Sequence, residues 1–288
     1  MTIRLQRFDL DDQYDTYLVD MWGTVYDRDA GLYSDAHTLL KRLKAHGKTV
    51  ILTSNASRPA APEIELRLGD SLDRRAYDMM MTAGEVLRLA AADRALPFSG
   101  RRYLTLGGTL NSGLLDDLGF VEVVDVGDAD FVVFAGLAGG DTATEPDDPA
   151  IQLTQDILSR ALARRLDLFV NKTDWVTWLA DGKGWIGTGA FAQWYLDEGG
   201  PVHYMGKPYP AYYDAIRRFV DLDKSRVLII GDHLLTDIAG GLNQGFDTLF
   251  VDTLPEGEMA AVRRLIKALD LSYVLPQISP NYVIDALR

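Results

Sequence analysis

Thr16-Tyr17-Leu18-Val19-Asp20 opens as an uninterrupted run suited to a buried strand and ends on an acid. The chain then continues Met21-Trp22-Gly23-Thr24-Val25. The same design recurs. Val50-Ile51-Leu52-Thr53 runs into Ser54-Asn55, Val227-Leu228-Ile229-Ile230-Gly231 runs into Asp232, and Thr248-Leu249-Phe250-Val251 runs into Asp252. Leu39, Leu40 and Leu43 mark a helical stripe after the first strand, closed by His46-Gly47. Strands that are apolar throughout, each followed by a helix, predict an α/β fold with a parallel sheet covered on both faces.

The middle of the chain follows another rhythm. Tyr103–Leu106, Val121–Val124, Phe131–Phe134 and Leu168–Val170 read as strands, separated by helices expected near 109–118 and 150–163. Residues 138–149 are rich in Gly, Thr, Asp and Pro and read as an exposed loop. The expected organisation is therefore a core made of 1–88 and 202–288, with an α/β domain inserted at 89–201.

Composition narrows the function. The 288 residues carry 29 basic against 42 acidic side chains, a formal net charge of −13, and the arginine pairs lie scattered among acids. Such a surface repels phosphate backbones and anionic membranes, which argues against a nucleic-acid or membrane partner. The absence of cysteine excludes disulfides, thiolate catalysis and cysteine-ligated metal centres. The first residues have no signal-peptide pattern and no later run has the length of a spanning helix, so the expected location is cytoplasmic. Nothing decides between a monomer and a homo-oligomer.

In a doubly wound sheet, ligands bind beyond the carboxyl ends of the strands. Four such ends carry chemistry here: Asp20; Thr53-Ser54-Asn55; Asp232 with Asp237; and Lys207, just after Val202-His203-Tyr204-Met205. Together they offer carboxylates for a hard cation, donors for an oxyanion and a fixed positive charge. Mg²⁺ takes one or two carboxylates plus phosphate oxygens and water, and phosphoryl transfer is catalysed mainly by positioning and charge neutralisation.

In their order, Asp20-Met21-Trp22-Gly23-Thr24-Val25, Ile51-Leu52-Thr53-Ser54-Asn55, Gly206-Lys207-Pro208 and Gly231-Asp232-His233-Leu234-Leu235-Thr236-Asp237 resemble the four motifs of the haloacid-dehalogenase-like hydrolase superfamily. The long separation of Thr53 from Lys207 resembles its class IIA members, whose cap is itself α/β. Thr82-Ala83-Gly84-Glu85, Asn171-Lys172-Thr173-Asp174 and Gly189-Ala190-Phe191-Ala192 fit the same pattern. The resemblance implies a Rossmann-like doubly wound core with an inserted cap, and a Mg²⁺-dependent hydrolase of a small phosphorylated metabolite. By the same resemblance Asp20 is the nucleophile that forms an aspartyl-phosphate, and Thr53, Ser54 and Asn55 line the phosphate loop. Lys207 neutralises nucleophile and phosphoryl group. Asp232 joins Asp20 and the Trp22 carbonyl around the metal, and Asp237 supports the metal's waters or orients Lys207.

The sequence departs from that pattern at Trp22, where family phosphatases usually carry a second aspartate that protonates the leaving alkoxide and then activates water. An indole N–H donates a hydrogen bond but is no acid. Trp22 is expected as a core or gate aromatic, and His233 is the alternative proton donor. His37, His46 and His203 have weaker claims. Two rival functions follow: a pseudo-enzyme that binds a phosphorylated ligand without turnover, and a metal-independent hydrolase of carbon–halogen bonds. Gly182-Lys183-Gly184-Trp185-Ile186-Gly187 matches a dinucleotide fingerprint, but no strand leads into it. Trp175, Trp178, Trp185, Trp194 and Tyr195 are expected mainly as cap core.

Overall fold

In the computed structural model, residues 2–27, 30–97, 99–108, 111–139, 149–178, 184–253 and 278–287 are described. The chain divides into two compact units, one formed by residues 1–54, 60–81 and 207–288, the other by 55–59 and 82–206. The expected boundaries at 88/89 and 201/202 lie several residues inside the second unit. Among the described residues no helix is long and apolar enough to cross a membrane.

The first unit is built on a seven-stranded sheet in the order Ile3–Arg4, Tyr282–Ile284, Asp247–Val251, Val227–Gly231, Thr16–Asp20, Thr49–Ser54, Met79–Thr82. Thr16–Asp20 pairs in parallel with Thr49–Ser54 on one side, Asp20 opposite Thr53, and with Val227–Gly231 on the other. All five residues of Thr16–Asp20 and of Val227–Gly231 are buried, which is why neither shows the alternation of a half-exposed strand. From Thr16–Asp20 the chain builds outward first one way and then the other. The crevice of such a reversal lies at the carboxyl ends of the central strands, and Asp20 is the last residue of the first of them.

Helix Ser34–Ala45 buries Ala36, Leu39, Leu40 and Leu43 against the sheet and closes with the His46 N–H on the Arg42 carbonyl. Two features carry no short-range signal in the sequence: the edge pairing of Ile3–Arg4 with Tyr282–Ile284, and the hairpin Tyr26–Asp27 with Gly31–Leu32.

The second unit has its own five-stranded sheet, Val202–Tyr204, Asp167–Val170, Phe131–Phe134, Arg102–Leu106, Val121–Glu122, with parallel pairings. Helices Ala83–Ala92, Pro149–Ala163 and Thr188–Asp197 belong to it. Leu104, Val132, Phe134, Leu158, Leu168, Val170, Phe191 and Tyr195 make a core cluster. The Tyr195 hydroxyl donates to the Leu166 carbonyl at 2.7 Å, so this aromatic is core as expected, with Trp194 half-buried beside it.

The helix expected near 109–118 is not α-helical in its described part, where a run of turns ends in a 3₁₀ turn at Asp116–Leu118. Gly113 stands at φ +74°, outside the right-handed helix, and its N–H is taken by the Glu122 carboxylate at 2.8 Å. Of the expected loop at 138–149, residues 140–148 lie outside the described set, as do Gly182 and Lys183 of the glycine-rich match. Gly184–Ile186 pairs antiparallel with Val176–Trp178, a setting unlike the parallel strand-to-helix turn of a dinucleotide site.

At the opposite end of the central strand, Asp15 receives two hydrogen bonds from Arg226 at 2.7 Å each, with Lys48 at 3.4 Å. The Arg226 contact holds this carboxyl below the usual 3.8, at about 2. A folded-state value below the unfolded one stabilises above the unfolded value and is lost as pH falls towards the folded one. Asp15 should therefore contribute fully above the unfolded value of 3.8, and that contribution should be lost as pH falls through about 2. NMR titration should find Asp15 near this value, and Arg226→Ala should return it towards normal. An unshifted Asp15 in the wild type at low salt would contradict the pairing.

Candidate active site

The site of the first unit assembles where the central strands end. Asp20 closes its strand at 6 % exposure, and Lys207 is 3 % exposed. Lys207 Nζ donates to Asp20 Oδ1 at 2.5 Å and to Asp237 Oδ1 at 2.6 Å. Burial alone would push the ammonium's pKa down, but the charges of Asp20 and Asp237 outweigh it and hold the value well above a normal lysine's. Lys207 is a fixed cation.

Asp237 reaches that position through a π-helical turn, Leu234–Ile238, whose wider loop points it back at its own strand. The His233 N–H donates to Asp237 Oδ2 at 3.2 Å. A Cβ on Gly231 would lie 2.3 Å from Asp237 Cγ, so only glycine lets the carboxylate pass. Asp232 sits under a similar constraint. Gly23, at φ +78°, leaves a gap in which a Cβ would fall 1.9 Å from Asp232 Oδ2. Thr24 Oγ1 lies 3.5 Å from Asp232 Oδ1.

One oxygen each from Asp20, Asp232 and Asp237 lies within 4.8 Å of the others. Three hard carboxylate donors at this spacing, beside a backbone opened by glycine, fit a hard divalent cation.

Thr53, 2 % exposed, is bound through its carbonyl to the Met21 N–H at 2.9 Å, which fixes the loop after Asp20 to the neighbouring strand. Ser54 is held by a residue that the sequence did not single out. The fully buried Tyr212 hydroxyl accepts from the Ser54 N–H at 2.9 Å and donates to the Met81 carbonyl at 2.6 Å. Its only trace in the sequence is a buried position in the helix Pro210–Arg217. Asn55 belongs to the second unit, where its amide donates to Thr173 Oγ1 at 2.9 Å. The structure thus brings Asp20, Thr53, Ser54, Lys207, Asp232 and Asp237 into one unit and places Asn55 in the other.

Trp22 is half-buried, edge-on to Tyr26 with ring centroids 5.2 Å apart, and the Arg67 guanidinium lies 4.8 Å over its ring. His233 caps its own turn, Nδ1 accepting from the Leu235 N–H at 3.3 Å, which leaves Nε2 as the proton-bearing nitrogen of the neutral ring. The other histidines are engaged elsewhere: His37 with the Asp73 N–H, His46 with Asp11 and His203 with Asp167.

The chain is similar to proteins of known kind along most of its length. A haloacid dehalogenase-like hydrolase family model matches residues 17–121, and a HAD-hydrolase-like model matches 204–288. Chronophin of Mus musculus is 30% identical over 247 residues, covering 80% of this chain and 80% of that protein. The acid sugar phosphatase of Staphylococcus aureus (strain MRSA252) is 26% identical over 245 residues, covering 84% of this chain and 87% of that one. Among solved structures, a haloacid dehalogenase-like hydrolase from Brucella suis 1330 superposes with a TM-score of 0.77 at 29% identity, over 99% of this chain and 100% of that one.

Tyr212→Phe should cost about 1–3 kcal/mol, because it strips the partners of a buried N–H and a buried carbonyl at once. Denaturant unfolding would measure it. A loss below a few tenths of a kcal/mol would mean that water replaces the hydroxyl.

Proposed function

Because the chain belongs to the haloacid dehalogenase-like hydrolases, we propose that it is a Mg²⁺-dependent phosphatase of a small phosphorylated metabolite, working through an aspartyl-phosphate on Asp20. The observation that carries this reading is the buried Lys207 ammonium bonded to both Asp20 and Asp237. A carboxylate so paired stays ionised and is held in one orientation, as a nucleophile must be. The name of one relative, an acid sugar phosphatase, supports hydrolysis of a phosphate ester, and the name of the family supports hydrolysis.

In this reading one Asp20 oxygen attacks phosphorus in line with the leaving oxygen, which departs with its electron pair. Water then attacks the aspartyl-phosphate, releasing inorganic phosphate and restoring Asp20. Lys207 neutralises charge on the nucleophile and the transferring group, and Thr53 with Ser54 and Asn55 receives phosphoryl oxygens. Asp20, Asp232 and the Trp22 carbonyl would hold Mg²⁺, which when bound would supply further neutralisation of charge on those oxygens. The 2.6 Å bond from Lys207 to Asp237 favours the orienting role of Asp237 over support of the metal's waters. The second unit, with a parallel sheet of its own, is read as the α/β cap of a class IIA enzyme, the part that sets specificity.

Trp22 limits the substrates. Without a carboxylic acid at that position the leaving group departs unprotonated unless His233, whose Nε2 carries the proton of the neutral ring, supplies one, so the site favours aryl and acyl phosphates over alkyl phosphates. The indole at this position also favours a second reading, a protein that binds a phosphorylated ligand without turnover.

A screen of phosphorylated metabolites and aryl phosphates, with Mg²⁺ and with EDTA, separates these readings. Mg²⁺-dependent release of phosphate, abolished by EDTA and lowered at least ~10³-fold by Asp20→Asn, is the expected outcome. Aryl phosphates should exceed alkyl phosphates in kcat/KM by about 10²-fold or more, the usual worth of a general acid. Tight binding with no release would establish the second reading, and wild-type rates in Asp20→Asn would remove Asp20 from the chemistry.

A further inference from the structure

The helix Ala60–Arg67 packs Ala60 and Ile64 against the core of the first unit, yet its most buried residue is charged. Its buried residue is Glu63, fully shielded from solvent, while Leu66 is 49 % exposed. Arg67, one turn after Glu63, has a side chain only 16 % exposed, with Nε 3.6 Å from Glu63 Oε1. That Nε makes no hydrogen bond. What the guanidinium does touch is the indole of Trp22, 4.8 Å from the ring centroid. Tyr26 meets the same indole edge-on, at 84°.

Burying a carboxylate and a guanidinium costs solvation that their mutual attraction repays only with good geometry, and at 3.6 Å without a hydrogen bond the geometry is poor. One contact of the pair reaches Trp22: Glu63 lies on the inward side of the guanidinium, whose central carbon sits 4.8 Å over the indole, an arrangement favoured by the ring's quadrupole and strengthened by desolvation.

We propose that Arg67, braced by Glu63, is a positioning residue that holds Trp22 as a fixed wall at the position of the absent acid and thereby sets the leaving-group preference of the site. The proposal rests on the reading of Asp20 as nucleophile. It makes Trp22, which also packs against the core cluster of this unit, a fixed surface rather than a gate that swings. An indole held between Tyr26 and Arg67 presents the same surface to each leaving group, and it keeps water from taking the place of the missing carboxyl.

The test uses the full-length protein labelled with 5-fluorotryptophan, its five tryptophans giving separable ¹⁹F resonances, with that of Trp22 assigned by its loss in Trp22→Phe. Arg67→Met keeps the apolar stem and removes the planar cation. The Trp22 resonance should then move towards the solvent-exposed shift and broaden, while the other four stay in place. The aryl-to-alkyl ratio of kcat/KM should fall roughly three- to tenfold, the scale of one stacking contact. Arg67→Lys should recover part of both effects, and Glu63→Gln should reproduce the Arg67→Met shift in weaker form. An unmoved Trp22 resonance in Arg67→Met overturns the positioning role. A displaced Trp22 with an unchanged aryl-to-alkyl ratio overturns the link to specificity. Should the wild type release no phosphate from either substrate class, the phosphatase reading fails on its own, and the ¹⁹F measurement still decides whether Arg67 holds Trp22.

Discussion

A buried ammonium shared between two carboxylates is the constraint around which the first unit is arranged. Lys207 meets Asp20 at 2.5 Å and Asp237 at 2.6 Å, and all three are nearly inaccessible to water. Removing Lys207 would leave two buried carboxylates uncompensated, and removing either carboxylate would take an acceptor from the buried ammonium, so each must be delivered to the same point without slack. Asp20 comes from the end of the central strand, Asp237 from a π-helical turn, and Lys207 from the start of the segment that returns to this unit. With Asp232 added there are three carboxylates against one ammonium. The excess negative charge in a shielded place is what makes a divalent cation a natural partner.

The backbone has been thinned to allow this. A side chain at Gly23 would displace Asp232, and one at Gly231 would displace Asp237. These glycines are not simply turn formers. They are absences of Cβ at the two places where a carboxylate crosses the backbone. Around them the protein spends rigid contacts: the Met21 N–H on Thr53, and the Tyr212 hydroxyl between Ser54 and Met81. A fully buried phenol that satisfies one donor and one acceptor in neighbouring segments holds their separation better than apolar packing, which tolerates sliding.

The parts of the molecule that were legible in the sequence are those where burial overrides alternation. Thr16–Asp20 and Val227–Gly231 are apolar because both faces of the sheet are covered, and the polar residue that ends each run announces the mouth of the crevice. Other parts were not legible, for physical reasons. Ile3–Arg4 finds its partner at Tyr282–Ile284, almost the whole chain away, so no local pattern could mark it as a strand. The segment near 109–118 has helical spacing of apolar residues, but Gly113 leaves the helical region and Glu122 captures its N–H. In Ala60–Arg67 the hydrophobic pattern accounts for Ala60 and Ile64, which pack on the core, but not for Glu63, which is buried while Leu66 faces out. Tyr212 could be read as core, but no spacing rule says that a core phenol will carry a hydrogen bond between two strand ends.

The indole at position 22 reaches further into the chemistry than the departure of the leaving group. In an enzyme of this mechanism, the acid that protonates the leaving oxygen becomes the base that takes a proton from water in the second step. A site with Trp22 lacks both. The first deficit depends on the substrate and vanishes when the leaving group is stable as an anion. The second does not, because on the proposed mechanism every substrate passes through the same aspartyl-phosphate. Turnover at saturation then tends to a common, slow value set by hydrolysis of that intermediate, while kcat/KM, which covers the steps up to the first irreversible one, retains the full dependence on the leaving group. Selectivity in such a protein resides in capture rather than in turnover, so whatever fixes the indole shapes the first step and leaves the second to Lys207, the acidic cluster and water.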